Sequence, residues 1–250
     1  MTLAEFALMV APGLATGIGG LGLLVFGPQS DRSLDVLLGL TAGIMLAATI
    51  FSLLIPALDR GGLIEVLVGF AVGALLLARI DAAVPHLHPR LFERDQAAAA
   101  DSDAHRKAAL LLSAMTIHNV PEGMAVGVAF AAGGIELGLP IAVAIGVQNI
   151  PEGFAAAAPL LETGMSRGRV AAIGAATGLV EPPAALIAFA AASRGEALLP
   201  FALAFAAAAM LYVVVDELLP EAATRGHERE ATLALFAGFM LMMILDVSLS

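Results

Sequence analysis

The chain has 250 residues, 60% of them hydrophobic, with one Tyr, no Trp and no Cys, and its mean hydropathy is +0.93. So apolar a composition excludes an ordinary soluble domain and predicts an all-α integral membrane protein of several crossings. A formal charge of −10 with only 12 Lys and Arg excludes nucleic acid as a partner, and the lack of Cys excludes disulfides, iron–sulfur clusters and thiolate metal sites.

Apolar windows of spanning length fall at about 3–26, 34–57, 63–84, 108–132, 137–161, 168–192, 197–219 and 231–249, which predicts eight transmembrane helices in a single domain over residues 1–250. The first window has no basic residue before it and is too long for a signal-peptide core, so it reads as a mature helix. The second carries Met45, which reads as core filler, and ends in Ser52-Leu53-Leu54-Ile55-Pro56-Ala57, followed by Asp59. After the third comes the one long join, 85–107, rich in Ala, Pro and charge. It predicts a mobile cytoplasmic segment in which His86, His88 and His105 are either a weak regulatory metal site or simply solvated.

The fourth window contains His118-Asn119-Val120-Pro121-Glu122-Gly123 and the fifth Gln148-Asn149-Ile150-Pro151-Glu152-Gly153, 30 residues further on. A carboxylate in hydrocarbon costs about 2.5–3.5 kcal/mol, so two in matched positions need a compensating partner, and a divalent cation is the simplest. His118 and Glu122 are four residues apart, and Asn119 and Glu122 three, so all three project to one helix face. Gln148, Asn149 and Glu152 repeat the arrangement on an antiparallel neighbour. Imidazole and carboxylate together suit zinc, cadmium, iron or manganese better than magnesium. Pro121 and Pro151 each lack an N–H and clash with the carbonyl four residues back, which predicts a kink or local unwinding at both motifs.

In the sixth window Glu181, within Gly178-Leu179-Val180-Glu181-Pro182-Pro183, is a further candidate ligand beside a helix-breaking proline. The seventh ends in Tyr212 and Asp216-Glu217-Leu218-Leu219-Pro220-Glu221, where Asp216 and Glu217 are candidates for an exit path. Asp59 and Asp246, near the ends of the second and eighth windows, are candidates for an entrance. Nine of the 12 basic residues lie in the odd-numbered joins, against Arg60 and Arg194 in the even-numbered ones, so both termini are expected outside the cytoplasm.

Taken together these motifs resemble the ZIP family of divalent-metal transporters, and in particular its bacterial GufA-like branch, over essentially the whole chain. The resemblance rests on the His-Asn-x-Pro-Glu-Gly of helix four, the x-Asn-x-Pro-Glu-Gly of helix five and the Val-Glu-Pro of helix six. The Ser-Leu-Leu-Ile-Pro-Ala end of helix two and the His-containing third join add to it. It implies a ZIP-type bundle with inverted-repeat character in the bacterial cytoplasmic membrane, commonly a homodimer. It also implies uptake of zinc, as substrate and not as resident cofactor, through a binuclear site. By position, His118, Glu122, Gln148 and Glu152 resemble the first ion's ligands, and Asn119, Glu122, Asn149, Glu152 and Glu181 the second's. Many relatives carry His where Gln148 stands, and many of the branch carry Asp where Asn149 stands. The expected mechanism is alternating access, with helices one, four, five and six moving against the rest. No Walker A motif is present in the sequence, so transport is expected to follow an ion gradient. The rival readings are a cation exporter or antiporter, an intramembrane metallohydrolase, against which the absence of His-Glu-x-x-His counts, and a metal sensor.

Overall fold

The computed structural model describes residues 1–27, 29–83 and 100–249, and the side chains among these outside 100–114, 156 and 162. Among the described residues every regular element is helical, and seven helices are long and apolar enough to cross a membrane. They are α1 (Leu3–Phe26), α2 (Asp31–Arg60), α3 (Leu63–Ala83), a long stretch Ala100–Ala157, α6 (Arg167–Ala192), α7 (Glu196–Glu221) and α8 (Glu228–Leu249). The long stretch is interrupted at Gly133 (φ −148°, ψ 16°) and Gly134 (φ 57°, ψ −137°), so α4 (100–132) and α5 (135–157) are joined by two residues with non-helical dihedrals. Gly134 lies in the left-handed region that a side chain disfavours, which is how so short a join can reverse direction.

Local sequence chemistry explains the starts. Thr2 caps α1 by accepting from the Glu5 N–H at 3.2 Å, and the Glu5 carboxylate returns the bond to the Thr2 N–H at 2.6 Å. Ser30 caps α2 in the same manner through the Ser33 N–H.

Irregular backbone is found next to prolines other than those of the two motifs. Helical dihedrals run through Pro121 and Pro151, so the unwinding expected at the two motifs is not found there. Instead α2 widens into a π-helical turn at Thr49–Leu54 just before Pro56, and α7 does so at Val214–Leu218 just before Pro220. In each the closing N–H reaches back five residues, from Ile55 to Ile50 and from Leu219 to Val214. A wider turn relieves the clash between a proline ring and the carbonyl four residues earlier. Before Pro182 the chain takes the opposite solution, a tight 3₁₀ turn at Gly178–Val180.

Glycines set which helices touch through their backbones. A Cβ on Gly19 would come within 2.2 Å of the Ile150 carbonyl oxygen, one on Gly13 within 2.5 Å of that of Gly178, and one on Gly127 within 2.0 Å of that of Ala185. Those contacts lock α1 to α5, α1 to α6 and α4 to α6. Gly43 meets Leu235 and Gly69 meets Phe201 in the same way, locking α2 to α8 and α3 to α7. These glycine contacts join α1, α4, α5 and α6 to one another, and tie α2 to α8 and α3 to α7 as two pairs.

At the end of the bundle where α2 begins, Asp35 is fully buried. Arg225, in the turn before α8, donates to Asp35 Oδ1 at 3.1 Å and also pairs with Glu221 at the end of α7. His227 Nδ1 lies 3.7 Å from Asp35 Oδ2. One acid thus ties α2, α7 and α8 together.

Candidate metal centre

Helical spacing on α4 sets His118 above Glu122, with Nε2 and Oε1 3.9 Å apart. The antiparallel α5 brings Glu152 Oε1 to 3.0 Å from the same His118 Nε2, without hydrogen-bond alignment. Donor atoms of His118, Glu122 and Glu152 all lie within 4.8 Å of one another, and all three residues are buried. Two ligands on a tetrahedral zinc, each bonded at about 2.0–2.2 Å, stand roughly 3.4 Å apart, so these spacings suit a shared ion.

The neighbouring atoms carry the same message. His118 Nε2, Glu122 Oε2, Gln148 Oε1 and both Glu152 oxygens are buried with no hydrogen-bond partner among the described residues. Buried polar atoms are nearly always paired, and a cluster of unpaired acceptors is a receptor for a cation. Gln148 donates its amide to Glu122 Oε1 at 2.5 Å, which leaves its own oxygen free.

Glu217, from the widened turn of α7, lies 3.3 Å from His118 Nδ1. An ionised carboxylate only accepts, so Nδ1 is the donor, and the Nε2 lone pair is turned towards Glu122 and Glu152. The sequence suggested Glu217 as a point on an exit path; its contact with the imidazole depends on α7 packing against α4 and was not foreseen.

Beside this cluster lies a second set of polar groups with a different character. Asn149 Nδ2 donates to Glu181 Oε1 and Oε2 at 2.9 and 2.8 Å and to the Pro12 carbonyl at 3.0 Å. Thr16 donates to Glu181 Oε1 at 2.6 Å. Asn119 is fully buried, and neither amide atom has a hydrogen-bond partner among the described residues. Thr16 and the Pro12 carbonyl were missed at the level of sequence, because α1 carries no acid, amide or His in mid-span to draw attention to it.

The other candidates are dispersed. Tyr212 hydrogen-bonds Asp81 on α3, a residue the sequence did not single out, and lies within electrostatic reach of Asp216. Ser52 donates to Asp246 Oδ1 at 2.6 Å, whereas Asp59 is exposed at the end of α2 and is not part of the cluster. Met45 is buried in the core, as expected. His86 and His88 lie outside the described residues, and so does the side chain of His105.

A sequence profile of the ZIP zinc transporter family matches residues 86–246. Zinc transporter GufA of Myxococcus xanthus is 43% identical over 251 aligned residues, covering 95% of each chain. Zinc transporter ZIPB of Bordetella bronchiseptica is 40% identical over 94% of this chain and 78% of its own length. Zinc transporter ZIP11 of Homo sapiens is 33% identical over 94% of both.

Proposed function

The chain belongs to the ZIP zinc transporter family, and from that premise we propose that it carries zinc across the bacterial cytoplasmic membrane, towards the cytoplasm, through the cluster of His118, Glu122, Gln148 and Glu152. One observation carries the reading: buried nitrogen and oxygen acceptors from two antiparallel helices converge within ligand distance of one another and lack hydrogen-bond partners among the described residues. Cadmium, iron and manganese are further candidates, because the donor set is imidazole, amide and carboxylate without sulfur. Metal is cargo in this reading, and the protein is a transporter with no catalytic residues.

The break at Gly133 and Gly134 supports counting α4 and α5 as separate crossings, which gives eight spans and leaves both termini on the outer side by the distribution of Lys and Arg. The exit then runs past Glu217 and Asp216 on α7, and the entrance past Asp246. Asn119, Asn149 and Glu181 occupy the positions of a second ion in the binuclear arrangement that the family resemblance implies.

Movement is by alternating access, with α1, α4, α5 and α6 shifting as one body against α2, α3, α7 and α8. The close glycine contacts support the first of these bodies, since they join α1 to α5 and α6 and α4 to α6. Outward apolar side chains such as Leu67 and Leu75 on α3 and Phe236 and Ile244 on α8 are available to lipid or to a second copy in a homodimer.

Reconstituted into sealed liposomes and given an inward zinc gradient, the wild-type protein is expected to conduct zinc, and Glu152→Ala and His118→Ala to fall to the rate of empty vesicles. Equal flux in all three would remove the site. Flux only against the imposed orientation would favour an exporter.

A further inference from the structure

We infer that Asn149 takes the place of a second metal ion, so that this chain loads one divalent cation and not two. The inference rests on the proposed transport site and concerns how many ions it holds.

Three acceptors face the Asn149 side chain at hydrogen-bond distance: both carboxylate oxygens of Glu181, at 2.9 and 2.8 Å, and the Pro12 carbonyl, at 3.0 Å. Only the NH₂ end of the amide can satisfy them, which fixes its orientation without ambiguity. The amide nitrogen itself sits 2.8 to 3.0 Å from all three oxygens, the place that a cation would otherwise take. A carboxylate at position 149 would set oxygen against oxygen and require a positive charge between them. The neutral amide needs none.

Thr16 completes the arrangement by donating to Glu181 Oε1 at 2.6 Å, so both oxygens of this buried acid are hydrogen-bonded by α1 and α5. The contrast with the first cluster is chemical and local. There, both Glu152 oxygens, Glu122 Oε2, Gln148 Oε1 and His118 Nε2 lack partners. Here, the acid is saturated by the protein itself. Glu122 and Glu152 alone neutralise one divalent ion, and the Glu181 oxygens are already engaged by three hydrogen bonds. An ion held by Glu181 would have to displace the hydrogen bonds from Asn149 and Thr16. Glu181 thus acts here as a positioning residue that joins α1 to α5 and α6.

The test is metal stoichiometry on the purified full-length protein in detergent, by equilibrium dialysis against cadmium and by ¹¹³Cd resonance. Wild type is expected to bind one ion per chain and show one resonance. Asn149→Asp is expected to gain a second ion and a second resonance, and Asn149→Asp combined with Glu181→Gln to lose it again. Two ions in the wild type would overturn the inference while leaving the transport site standing, as would Asn149→Asp remaining at one. No bound ion in the wild type would overturn the site itself. Should Asn149→Asp fail to fold, the wild-type count decides alone.

Discussion

Asp35 and Glu152 are buried to nearly the same degree, 0% and 1% exposed, but they face different partners. Asp35 meets the guanidinium of Arg225 at 3.1 Å, a cation the protein always carries, while among the described residues the one basic group at Glu152 is His118 Nε2, an atom that is itself a metal donor. The first acid has its counter-ion built in and serves to hold three helices together. The second has none, and what neutralises it must come from outside. Burial alone therefore does not mark a functional carboxylate; burial with unpaired oxygens and no permanent cation within reach does.

The sharpest way to break this comparison is to neutralise one acid of each kind. Glu122→Gln is expected to abolish zinc flux while leaving the thermal midpoint of the metal-free protein unchanged or higher, because a buried acid without a permanent partner is replaced by a neutral amide. The same variant should lose the stabilisation that zinc gives the wild type, about 2.7 kcal/mol at a hundredfold excess over Kd. Asp35→Asn is expected to act in the reverse sense. It should destabilise the fold by about 3 kcal/mol, towards the lower end of the range for a broken buried pair because Glu221 still holds Arg225, and flux per folded molecule should survive. Chemical denaturation in detergent, with flux normalised to folded protein, separates the two.

Smaller effects refine the picture. Glu217→Gln leaves His118 with an amide in place of the carboxylate at Nδ1, and zinc affinity by calorimetric titration should fall about 10- to 100-fold with the fold intact. No change would mean that Glu217 serves only the exit. The Arg32–Glu230 pair, 3.7 Å apart with side chains 67% and 38% exposed, is the surface counterpart of the Asp35 clamp. Arg32→Ala should cost no more than about 1 kcal/mol, since exposed pairs are screened by water.

Much of this architecture is written locally. Some helix starts lie close to the apolar windows and others do not: α2 begins at Asp31, three residues before the expected 34, and α8 at Glu228, three before 231, whereas α4 begins at Ala100, eight before 108. Of the eight buried polar residues described on α4, α5 and α6, all but Thr177 were legible because an acid, amide or imidazole in the middle of an apolar helix has no cheap explanation. Proline geometry was less legible. Its clash can be relieved by any nearby turn that is free to widen, and which turn is free depends on what packs there. Hence the irregular backbone at Thr49–Leu54 and Val214–Leu218, and its absence at Pro121 and Pro151.

By itself the sequence determined that the chain is a membrane bundle, where its helices run, and which imidazole, amides and carboxylates lie at their centres, because hydropathy and helical periodicity act over neighbouring residues. Tertiary structure alone decided which of those groups meet. That Glu217 reaches His118, that Thr16 and the Pro12 carbonyl close around Asn149 and Glu181, and that Arg225 finds Asp35 are contacts between residues 99 to 190 positions apart. They follow from how glycine-lined helices come together, and hydrogen bonds made across such distances leave no pattern along the chain.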